Sequence, residues 1–142
     1  MQPAIADLRR SEQSFPTTLT SRTVSTSRHT THYLEDGPAD GPLMIFVHGW
    51  PEIGLVWRAQ LAAFAAEEWH CVAPDLRGYG GSSAPDSTAA YAMEEIVTDM
   101  VDLHDHLGAE PAVWVGHDWG SIVVGALAAH QPRRSRGVVL VS

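Results

Sequence analysis

The sequence predicts an α/β fold with a mostly parallel sheet flanked by helices, and three observations predict it. From Leu43 onward, short apolar runs alternate with helical patterns, the arrangement that right-handed crossovers turn into parallel strands. Leu43-Met44-Ile45-Phe46-Val47 is a buried strand that runs into a glycine-containing loop, His48-Gly49-Trp50-Pro51. Finally, Gly116-His117-Asp118-Trp119-Gly120 lies between an apolar run, Pro111 to Val115, and a small-residue helical run, Ser121 to Ala129. That is a strand, a tight turn and a helix, with glycines flanking an apex whose strained backbone would otherwise meet a Cβ.

The elements follow in order. Residues 1–18 are polar, contain Pro16 and show little periodicity, and read as a flexible arm before a single unit at 19–142. Thr20 to Ser25 and Thr30 to Glu35 read as two strands around a turn, and Asp36 to Pro42 is a cluster of turn residues before the Leu43 strand. Leu55 to Ala66 predicts a helix burying Leu55, Trp57, Leu61 and Phe64. His70 to Ala73 is a short strand, followed by the glycine-dense Asp75 to Ser83 loop. Tyr91 to Leu107 predicts a second helix with Met93, Ile96, Val97, Met100, Leu103 and Leu107 on one face, stopped by Gly108. Gly137 to Ser142 reads as a buried strand cut off with no turn or cap after it. No internal repeat or second domain is evident.

Composition excludes several chemistries. The chain of 142 residues has seventeen acidic and nine basic residues, a formal charge of −8, and every basic residue is arginine. Without lysine there is neither a Walker-type phosphate loop nor Schiff-base chemistry, and the acidic balance argues against nucleic acid as a partner. Cys71 is the single cysteine, so no internal disulfide can form and a reducing compartment is expected. The N-terminal residues lack the apolar stretch of a secretory signal, and no apolar run approaches the roughly 20 residues of a membrane span. A soluble, cytoplasmic protein with no membrane partner is expected.

The chemistry centres on Asp118. Read alone, the turn either tolerates an aspartate at its tip or uses it as a nucleophile. A serine there would need a base, whereas an aspartate with a reference pKa of about 3.9 is already anionic at neutral pH and suits attack on an electrophilic carbon. In order and spacing, the His48-Gly49-Trp50-Pro51 loop, the Asp75 to Ser83 loop and the Gly116 to Gly120 turn resemble the α/β-hydrolase fold. Within it they most resemble the epoxide hydrolases, where a His-Gly-Trp/Phe-Pro loop and a Gly-His-Asp-Trp-Gly elbow occur together.

That resemblance, running from about Arg22 to the end of the sequence, implies a division of labour. Asp118 would open an epoxide and form a covalent ester. The backbone N–H groups of Trp50 and Trp119 would form the oxyanion hole for ester hydrolysis, and Trp50, Pro51 and Trp119 would line an apolar substrate pocket. A small apolar epoxide and water would be the reactants, with no cofactor or metal. The family's catalytic histidine, its acidic partner and its cap tyrosines come later in such sequences, so the resemblance implies an N-terminal half of the hydrolase domain, expected to be inactive alone. Two other readings stay open. One is a haloalkane dehalogenase with the same nucleophile, although those enzymes usually carry Asn after His-Gly. The other is a non-catalytic or truncated relative.

Other chemical-looking features have simpler expectations. His104 and His106 would project about 200° apart on a helix and cannot chelate one ion. The Arg77 to Ser83 loop, with no lysine and with Pro85 beyond it, reads as structural. Ser82, within Gly81-Ser82-Ser83-Ala84, lacks a flanking strand and helix. His117 is expected to pack below the turn, and His48 to organise the loop that it begins without carrying protons.

Overall fold

The computed structural model describes residues 18–142. The arm expected over 1–18 therefore lies outside the described residues except at Thr18, whose hydroxyl donates to the Asp36 carboxylate. Six strands form one sheet: β1 (Thr20–Ser25), β2 (Thr30–Asp36), β3 (Leu43–Val47), β4 (His70–Pro74), β5 (Ala112–His117) and β6 (Ser135–Val141). Their order is β1-β2-β4-β3-β5-β6. The β1–β2 and β2–β4 pairings are antiparallel, while β4–β3, β3–β5 and β5–β6 are parallel. The sheet is thus mostly parallel with an antiparallel hairpin along one edge.

Three α-helices cover it: α1 (Arg58–Ala65), α2 (Met93–His106) and α3 (Trp119–His130). Because side chains alternate along a strand, β3 feeds two cores. Ile45 and Val47 join Met100 and Leu103 of α2 and Val123 and Leu127 of α3. Met44 and Phe46 face the other way, onto Leu61 of α1. The predicted face of α2 holds: Met100 and Leu103 are fully buried, and Met93, Ile96, Val97 and Leu107 pack against them part-buried.

One packing expectation is corrected. In the first helix, Leu55 and Phe64 are exposed, and only Leu61 is fully buried. Gly54–Trp57 forms a 3₁₀ turn before α1 begins. At three residues per turn it shifts the phase of the apolar face, so a single 3.6-residue projection from Leu55 fails. Phe64 still reaches the edge of the Phe46 ring, with centroids 6.0 Å apart. Among the described residues β6 stands at the edge of the sheet, with Leu140 56% exposed. Among the described strands it pairs only with β5, and α3 shields it only in part. No helix of the described residues is long and apolar enough to cross a membrane.

The loop after β4 is fastened from two sides. Arg77 donates through Nε to Asp99 Oδ2 and through Nη2 to Asp99 Oδ1, both at 2.8 Å, tying the loop to α2. Asp75 Oδ1 accepts the Gly54 N–H at 2.7 Å, and Oδ2 accepts the Gly81 N–H at 3.0 Å while lying 2.7 Å from His32 Nδ1. Asp75 thereby joins the ends of β2 and β4 to the segment that follows β3.

Candidate active site

The site forms where β3 and β5, adjacent and parallel, both end. Beyond β5, Asp118 has φ 55° and ψ −122°, a conformation that a residue with a Cβ rarely adopts and that costs about 1–3 kcal/mol. Local bonds compensate: the Asp118 N–H donates to Val141 O at 3.1 Å, and Ser121 N–H donates to Asp118 O at 2.9 Å. The turn is possible because α3 starts hard against the sheet. A Cβ on Gly120 would lie 2.1 Å from Val47 O, so only glycine fits there.

Beyond β3, the Trp50–Pro51 peptide is cis. The Trp50 N–H donates to Asp118 Oδ1 at 3.0 Å, and the backbone N–H of the adjacent Trp119 also favours the anion. The two donors, with smaller help from nearby His117, hold the carboxyl below its ordinary pKa against the opposing effect of burial. An exposed, anionic carboxylate therefore stands at the turn with the Trp50 N–H donating to it.

A pocket of about 220 Å³ adjoins the site and is lined by Gly49, Leu76, Tyr79, Tyr91, Trp119 and Val123, among others. Trp119 belongs to this wall, whereas Trp50 and Pro51 lie outside it. Trp50 is 65% exposed, its indole turned to solvent. Larger open hollows beside His70 lie near the other end of the sheet and share no residue with the elbow.

His117 is not packed below the turn. Its side chain is part-exposed, with Nδ1 3.4 Å from Glu52 Oε2, because the residue before the apex turns away from the core. Glu52 Oε2 also accepts the Gly49 N–H at 3.2 Å. His48 is fully buried and bonded through both ring nitrogens, to Gly49 O and Leu76 N. Glu52, Asp75 and Tyr79 are participants that pattern reading passes over: each is a lone residue in a loop, where no periodicity marks a facing side.

The remaining candidates are structural. The Ser82 hydroxyl donates to Asp75 O at 2.6 Å and accepts the His32 N–H at 2.9 Å. His104 is buried between Glu110 O, 2.7 Å from Nε2, and the Arg134 guanidinium, 2.9 Å from Nδ1, while His106 is exposed. No group of three or more potential ligands among the described residues could hold a metal ion. Burial pushes the Cys71 thiol up to about 12, so it stays protonated and inert.

Comparison with known proteins gives a consistent result. The model of the family described as alpha/beta hydrolase fold matches residues 42–142. Epoxide hydrolase A of Mycobacterium tuberculosis is 47% identical over 105 residues, which is 74% of this chain and 33% of the relative. Epoxide hydrolase 2 of Siraitia grosvenorii is 38% identical over 84% of this chain and 37% of its own length. The crystal structure of epoxide hydrolase A from Mycobacterium thermoresistibile superposes with a TM-score of 0.84 at 40% identity, covering 88% of this chain and 39% of that one. The chain thus spans about a third of the length of these curated relatives.

Proposed function

This chain belongs to the α/β-hydrolase fold family, and from that premise we propose that the whole protein is an epoxide hydrolase in which Asp118 is the nucleophile. The observation that carries the reading is the Trp50 N–H donating to the Asp118 carboxylate at a positive-φ apex, with the neighbouring Trp119 N–H also favouring the anion. The 38–47% identity to epoxide hydrolases supports the substrate class.

The chemistry follows from these groups. One Asp118 oxygen attacks an epoxide carbon, the C–O bond of the strained ring breaks, and its electrons pass to the epoxide oxygen, which takes up a proton. The product is a hydroxyalkyl ester of Asp118. Water, losing a proton to a base, then adds to the ester carbonyl carbon. The negative charge that develops on the carbonyl oxygen is met by the N–H groups of Trp50 and Trp119, each such donor being worth about 2.7–4 kcal/mol in comparable sites. Collapse releases a vicinal diol and restores the carboxylate. The pocket beside Trp119 would take an apolar substituent of the substrate.

A single turnover in oxygen-18 water, with the whole protein in excess over a simple epoxide, tests the covalent route. The diol should emerge unlabelled and the peptide containing Asp118 should gain the heavy isotope. Direct attack by water, with Asp118 as a general base, gives labelled diol and unlabelled peptide, and that result would end the proposal. Halide release from a haloalkane without epoxide turnover would move the reading to dehalogenation.

A further inference from the structure

We propose that His48 is a positioning residue that fixes the direction of the oxyanion-hole peptide by gripping the Gly49 carbonyl while the N–H of the same peptide unit meets Asp118. The inference rests on Asp118 being the nucleophile and extends that reading to a side chain that touches no reacting atom.

His48 Nδ1 lies 2.8 Å from Gly49 O, and its Nε2 lies 2.9 Å from Leu76 N. A backbone N–H can only donate, so Nε2 accepts, and the proton of the neutral ring sits on Nδ1 and is donated to Gly49 O. The neighbours therefore select the tautomer. Protonating Nε2 would turn it against the Leu76 N–H, and burial also disfavours the charged ring, although Gly49 O, Asp75 and Glu52 favour it. The ring is fully buried and meets Tyr79 edge-on, with centroids 5.2 Å apart.

Gly49 C=O and Trp50 N–H belong to one planar unit, so holding the oxygen fixes where the N–H points. That N–H is the one 3.0 Å from Asp118 Oδ1. The carbonyl has a second anchor, the Glu52 N–H at 3.0 Å, which is backbone. His48 is the anchor made by a side chain, and through Leu76 it also joins the loop after β4 to the loop after β3. Turned over, the peptide would aim a carbonyl at the carboxylate and leave Trp119 as the sole donor of the pair.

The oxyanion develops during ester hydrolysis, so that step reports the role. Two variants of the whole protein separate the two ring bonds. His48→Asn places an amide near the position of Nδ1 and can still donate to Gly49 O; His48→Gln reaches the position of Nε2 and can accept from Leu76 but gives Gly49 no donor. Each is mixed with styrene oxide, quenched over time and weighed intact by mass spectrometry. Hydrolysis in His48→Gln should be about tenfold slower than in His48→Asn, so that the ester accumulates, with ester formation within about twofold. Equal hydrolysis rates, or a slower His48→Asn, would overturn the role. If a variant does not fold, the wild-type imidazole decides by nitrogen-15 NMR. A proton on Nδ1 and a bare Nε2 at neutral pH support the proposal, and a proton on Nε2 overturns it. A single turnover in oxygen-18 water that leaves the Asp118 peptide of the wild type unlabelled refutes the nucleophile, whereas a labelled wild-type peptide without the difference between variants refutes His48 alone.

Discussion

Gly49 and Asp118 approach so closely that a Cβ on Gly49 would lie 2.4 Å from Asp118 Cβ and 2.7 Å from its Oδ1. Gly49 is not among the glycines with positive φ, so it is required for space rather than for backbone conformation. Two loops separated by about half of the chain meet here, and their contact brings the Trp50 N–H onto the carboxylate.

Gly49→Ala should therefore push the loop and the elbow apart by about 1 Å, a displacement that can cost about 100-fold in rate. We expect kcat/KM of the whole protein to fall by that order. The steady-state rate of epoxide opening, measured beside a thermal melt, checks it. An alanine variant with normal kcat/KM would show that the close approach does not exist in solution.

Asp118 should titrate below the ordinary aspartate value of about 3.9, because the Trp50 and Trp119 N–H groups stabilise its anion. The folded pKa is depressed relative to the unfolded one. Any stability linked to this group is thus fully present above the unfolded pKa and is lost as pH falls through the folded pKa. The carboxylate should accordingly stay anionic across neutral and mildly acidic pH. Carbon-13 shifts of labelled aspartate, assigned by comparison with Asp118→Ala, provide the check. A value at or above 3.9 would mean that the two N–H bonds are not made.

The Arg77–Asp99 pair should be a stability determinant. Its side chains are 4% and 1% exposed, and two parallel bonds join them. Asp99→Ala leaves Arg77 buried without its carboxylate and should cost about 3–5 kcal/mol in denaturant unfolding. Arg77→Lys should also destabilise, since an ammonium cannot make the two-pronged contact. A loss below about 1 kcal/mol for Asp99→Ala would indicate a pair screened by water.

Much of the fold is legible because local chemistry dictates it. The continuous apolar run at Leu43–Val47 can only be a buried strand, the α2 stripe from Met93 to Leu107 follows the helical period, and the glycines around Asp118 mark a sharp turn. The exception is local phase: Leu55 and Phe64 are exposed because a 3₁₀ turn interrupts the helical period.

Residues adjacent in the chain dictate the alternation of strands and helices, the turn that displays Asp118 and the loop that begins at His48. Packing across the sheet places Trp119 beside the hollow at the elbow, turns His117 outward to Glu52, and lets His48 join Leu76 to Gly49. These relationships depend on β3, β4 and β5 lying side by side, so that loops distant in sequence end together. Hydrogen bonds reach about 3 Å, and whether two loops come that close is set by the packing of the whole sheet rather than by either loop's own residues.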